Sequence, residues 1–163
     1  MSNVMILNLE DFDVPMKLVF ELEERLKEDP ERVRLAQALT LDPAMPGMGL
    51  RGVHGLFGSV EWWASIRQGR MPLLKQSGII RRAYASGQEP NQASNTIDLQ
   101  LDDGTVQLTG IFVNKKGDAK LFRAGCRVAV VYALDELKLQ PSDNGGVNHL
   151  SIALEMAVST CKA

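Results

Sequence analysis

The sequence predicts an α+β fold: a small antiparallel β-barrel of five or six strands with N-terminal helices packed on it. Three observations carry that prediction. Near the C-terminus Leu150, Ile152, Leu154, Met156 and Val158 fall at every second position, with Ser151, Ala153, Glu155, Ala157 and Ser159 between them. This is the period of a strand with one buried and one wetter face. Further back, Asp103-Gly104 separates two short alternating runs, the chemistry of a tight hairpin. Ahead of residue 77, by contrast, apolar residues recur at helical spacing behind capping residues such as Asp29 and Ser59.

Length and composition suit one ordinary globular domain. The chain has 163 residues, 45% hydrophobic and 23% charged, and a net charge of −2. Residues 1–163 read as a single domain, with 1–76 mainly helix and loop and 77–163 the barrel. Residues 77–163 carry nine basic and nine acidic side chains, and residues 1–76 carry nine and eleven. Composition therefore announces no polyanion partner. Cys126 and Cys161 are too few for a disulfide framework and lack metal spacing, so both read as reduced thiols. No basic leader precedes an apolar run at Met1–Leu9, and no stretch reaches the roughly 20 apolar residues of a membrane helix, so the cytoplasm is the expected compartment.

Taken in order, Asn3–Leu9 is an apolar run too short to assign to strand or helix. Asp13 and Pro15 suit a helix start, with Met16, Val19, Phe20 and Leu26 on one face. Asp29-Pro30 caps a second helix reaching about Thr40, and the two make a helical hairpin. Pro43, Pro46 and five glycines from Gly47 to Gly58 predict a loop. Ser59 then caps a short helix over Val60–Gln68, stopped by Gly69. Pro72 opens a connector, Ile79–Ser86 is a strand and Gly87–Ser94 a polar loop. Ile97, Leu99 and Leu101 alternate up to Asp103-Gly104. Val106 and Leu108 return in phase, and a slip beyond Gly110 to Ile111 and Val113 marks a bulge. Asn114–Asp118 is a turn, and Val128, Val130, Tyr132 and Leu134 form the next strand.

The stretch 78–158 resembles oligonucleotide-binding (OB) and SH3-like barrels in the order of its strands. The matching features are a strand ending at Asp103-Gly104, a bulged return strand, and then Gly125-Cys126-Arg127-Val128-Ala129-Val130. The resemblance implies an OB-like or SH3-like barrel and is one of pattern, carried by no functional motif.

The search for chemistry is mostly negative. Gly47-Met48-Gly49-Leu50-Arg51-Gly52 matches G-x-G-x-x-G, but two prolines rather than a strand precede it and no helix start follows, so a flexible loop is the better reading. His54 and His149 have no partner ligand at motif spacing, and Asp102-Asp103 reads as turn chemistry. No catalytic, cofactor or metal residue is assigned. The candidate contacts for a partner or ligand are Trp62, Trp63, Arg67, Arg70, Arg81, Arg82 and Tyr84. Adjacent helix positions point about 100° apart, so one of the two tryptophans packs inward with Ile66 while the other lies beside Arg67 or Arg70; the competing reading clamps both between barrel and hairpin. Arg81, Arg82 and Tyr84, with Lys115, Lys116, Lys120 and Arg123, would form the basic and aromatic stripe of a single-stranded nucleic-acid binder. A non-enzymatic protein-interaction module, self-associating through a barrel edge or binding another protein, stands ahead of that alternative. An enzyme with a site not visible in the sequence comes third.

Overall fold

A computed structural model describes residues 6–85 and 94–160. The chain runs β1 (Met16–Glu21), α1 (Leu22–Glu28), α2 (Pro30–Leu41), α3 (Val60–Arg67), β2 (Leu73–Tyr84), β3 (Thr96–Leu101), β4 (Val106–Gly110), β5 (Arg127–Glu136) and β6 (His149–Ser159), with 3-10 turns at Leu9–Asp11 and Lys116–Leu121. Its strands form one six-stranded antiparallel sheet in the order β1-β6-β5-β2-β3-β4. The α+β class and the strand count are as predicted, whereas the sheet is open and not a closed barrel. Of the predicted polar loop Gly87–Ser94 only Ser94 falls among the described residues; Ser86, Asn3 and Cys161 lie outside them.

Contacts within the chain gather into two units. One takes the residues up to Glu21, Lys75–Val131 and those from Ala153 onward; the other is Leu22–Leu74 with Tyr132–Ile152.

In the first unit β1 pairs with β6 from Met16↔Ser159 to Glu21↔Glu155, with a register shift between Leu18 and Phe20. That shift explains why the sequence suggests a helix here. A bulge turns two successive side chains inward, so Val19 and Phe20 are both buried and, with Met16, imitate the i, i+3, i+4 spacing of a helix. The two end strands, β1 and β4, share no ladder with each other among the described residues. Asn114 bridges to the outer side of β1: its N–H donates to the Val19 carbonyl (2.9 Å), and its side chain accepts from Glu21 N (2.8 Å) and donates to Glu21 O (3.1 Å). Phe112 accordingly sits on Phe20, ring centroids 5.7 Å apart. A side-chain clamp thus occupies the outer edge of β1. On β4 the phase is opposite to the predicted one. Val106 and Leu108 are exposed, and Thr109 is buried.

The last strand also departs from expectation. Ile152 through Ser159 are all buried, so Ala153, Glu155, Ala157 and Ser159 do not form a wet face. Their face is covered in part by the segment before β1, whose Ile6 and Leu7 N–H groups donate to the Glu155 carboxylate at 3.0 and 2.8 Å. Small side chains at alternate positions reflect close cover here, not solvent. Burial pushes the Glu155 carboxyl above the usual glutamate range, opposed by the Leu7 and Ile6 N–H groups and helped by Glu21 across the ladder. A carboxyl raised in the fold favours folding most when protonated, and that contribution is lost as pH rises through its folded value. Glu155→Gln, whose amide oxygen can still accept from both N–H groups, should therefore gain on the wild type between pH 4 and pH 7. Urea unfolding at the two pH values measures the change in that difference.

The second unit holds the helices. In α1, Leu22 and Leu26 are buried one turn apart. Asp29 caps α2 by accepting from Arg32 N at 3.3 Å, with Pro30 at the first helical position, as the sequence predicts. No residue of α2 is buried. The carbonyl of Leu39 in its last turn is held by Lys138, whose Nζ donates to it at 2.6 Å and to Met45 O of the following loop at 3.0 Å, a favourable place for a cation. The helix α3 begins with Ser59 accepting from Trp62 N at 3.2 Å and ends at Gly69, whose φ is +79°. Ser59→Ala should cost about 1 kcal/mol, read as a shift in the urea midpoint.

Candidate partner-binding surface

The predicted contact residues separate between the two units. Trp62, Trp63, Arg67 and Arg70 lie in or just beyond α3; Arg81, Arg82 and Tyr84 lie on β2 in the other unit.

Trp62 is wholly buried, as is Ile66. Its Nε1 donates to Asp135 Oδ2 at 2.9 Å, and its ring meets Phe57 edge-on at 5.0 Å and Trp63 at 4.9 Å. Asp135 is itself buried and its Oδ1 has no partner among the described residues. Burial pushes the carboxyl above the usual aspartate range, opposed by the Trp62 N–H and by His54. Trp62 is thus a structural pin. Trp63 is half-buried beneath Arg67, whose guanidinium lies 5.4 Å from the ring centre and pairs with Glu23 at 3.0 Å. Arg70 reaches Gln68 and Ser65. On β2, Arg82 stacks 4.1 Å over Tyr84 and pairs with Asp98 at 3.3 Å, while Tyr84 donates to the same carboxylate at 3.1 Å. Arg81 contacts Gln100. Arg67 and Arg82 thus pair with carboxylates, whereas Arg70 and Arg81 meet neutral side chains.

The glycine-rich segment is a loop, as predicted, but a tied one. Arg51 N donates to Glu136 O, Lys138 N to Gly49 O and Gln37 Nε2 to Phe57 O, each at 2.9 Å. Gly49 has φ +90°, and a Cβ there would meet Leu39 at 2.8 Å. Glycine at that position lets the loop close on α2. His54 lies in this loop and its carbonyl accepts from Ser65; His149 is exposed at the start of β6.

That closure builds a groove the sequence reading missed. Arg32, Ala36 and Leu39 line one side from α2, at i, i+4 and i+7 on one helical face. Gly49, Leu50 and Phe57 come from the loop, and Leu150 and Ile152 from β6, two residues apart on one strand face. Leu50, Phe57 and Ile152 are buried beneath it, and Leu150 remains 45% exposed. The space is about 180 Å³. One signal in the sequence could have pointed to α2: its apolar residues Val33, Leu35, Ala36, Leu39 and Leu41 encircle the helix rather than forming one stripe, so a single core cannot cover them all.

The family whose model matches this chain implies a protein-binding module. The chain belongs to the immunity protein RhsI2 family, whose model matches residues 16–159, from the first residue of β1 to the last of β6. No individual curated protein matches it.

Proposed function

We propose that this chain protects against a toxin protein by binding it and holding it inactive, through contact rather than catalysis, in the cytoplasm. The observation that carries the reading is family membership over the whole span from β1 to β6. Exposed apolar side chains of the second unit, among them Leu35, Leu41, Met48 and Leu150, support a protein partner. Cys126, a buried free thiol, suits a reducing compartment. A nucleic-acid partner is less favoured, because Arg81 and Arg82 are engaged by Gln100, Asp98 and Tyr84 and the net charge is −2. Co-expression with a Rhs toxin domain tests the proposal. Growth should be restored, and a complex of the two chains should survive nuclease treatment. Killing at the full rate with the folded chain present, across the toxins of this family, would overturn it.

A further inference from the structure

We infer that the groove beside α2 is the docking site for the toxin, and that its occupant is one apolar side chain of the toxin followed closely by a carboxylate that meets Arg32. The inference rests on the binding function proposed above and adds the place and the chemistry.

Size argues for a side chain. An apolar cavity of roughly 150 Å³ accommodates benzene, whereas small-molecule sites run from about 300 Å³. At about 180 Å³ the groove suits a single leucine, methionine or phenylalanine. The lining argues for an apolar one, since Ala36, Leu39, Leu50, Phe57, Leu150 and Ile152 offer no side-chain hydrogen bond. Charge then sets the neighbour. Arg32 is the sole charged residue of the lining, and its guanidinium lies 5.6 Å from the Phe57 ring centre with no carboxylate partner among the described residues. An arginine supported on an aromatic ring at the rim of an apolar depression is preorganised for a carboxylate. The one cation is too little for a phosphate backbone. The exposure of α2 fits the same picture, because a helix with Leu35 at 54% and Leu41 at 67% exposure presents apolar surface that a partner would cover.

The test measures affinity, by calorimetry, of the purified full chain for the Rhs toxin domain against which it protects. Leu150→Asp and Arg32→Glu alter exposed side chains, so their urea midpoints should match the wild type. Both should weaken binding at least tenfold, while Arg32→Lys retains most of the affinity. Leu108→Asp, exposed in the other unit, should bind as the wild type does. Wild-type affinity in either Leu150→Asp or Arg32→Glu would overturn the groove while leaving the protective function standing. Equal losses in Arg32→Lys and Arg32→Glu would remove the carboxylate contact. Loss in Leu108→Asp alone would move the site to β4. A wild-type chain that binds no toxin defeats the functional reading itself.

Discussion

Trp62→Ala should remove about 3–5 kcal/mol of stability, against a total of roughly 5–15 kcal/mol for a natural domain. The side chain is fully buried and packs on Phe57 and Trp63, so its loss leaves a cavity. It also strips Asp135 of the Nε1–H donor at 2.9 Å, leaving a buried carboxylate with neither oxygen held by a side chain. Trp62→Phe separates the two effects by keeping most of the bulk while deleting the donor, at about 1–3 kcal/mol. The sign with pH follows from Asp135. Its carboxyl is raised by burial, so its favourable contribution is fullest in acid and fades as pH rises through the folded value. Losing a donor that favours the charged form raises it further. Trp62→Phe should therefore lose more stability at pH 7 than at pH 4, by urea unfolding. An equal loss at both would mean that Asp135 is not coupled to the ring.

The second large effect belongs to β6. Leu154 is 1% exposed, and Leu154→Asp trades apolar burial for an unpaired charge, with an expected loss above about 4 kcal/mol. Ser151→Asp, at an exposed position, should stay within about 0.5 kcal/mol. Ala153→Asp is the more informative third member. A strand with one wet face would tolerate it, but Ala153 is only 9% exposed and should prove nearly as intolerant as Leu154. Circular dichroism through a urea series ranks all three.

What the sequence made legible was local. Ser59, Gly69 and Asp29-Pro30 mark helix ends through hydrogen bonds within a few residues, and Asp103-Gly104 marks the β3–β4 turn in the same way. What depended on distant partners was misread. The bulge at Leu18 and Phe20 disguised β1, and cover from Ile6 and Leu7 erased the expected wet face of β6. Val128, Val130, Tyr132 and Leu134 fall at alternate positions of β5, yet Ala133 and Asp135, not Tyr132 and Leu134, are the buried pair at that end. The groove draws on α2, the glycine loop and β6, more than 100 residues apart, so no window of sequence contains it. From residues alone the function reached as far as a protein-interaction module, and the proposal of a protective role needed the family.

The pairing of Met16 with Ser159 has a consequence for the timing of synthesis. A ribosome adds about 5–20 residues per second, so β1 waits on the order of ten seconds before its neighbour in the sheet has emerged. Until then its apolar residues have no ladder, and Glu155 is not yet there to hold Ile6 and Leu7. Such long-range closure is slow by nature. Each new molecule therefore passes through an interval in which the chain has been largely translated but its sheet cannot yet be completed. A sudden demand for the finished fold is therefore met sooner from copies already made than from new synthesis.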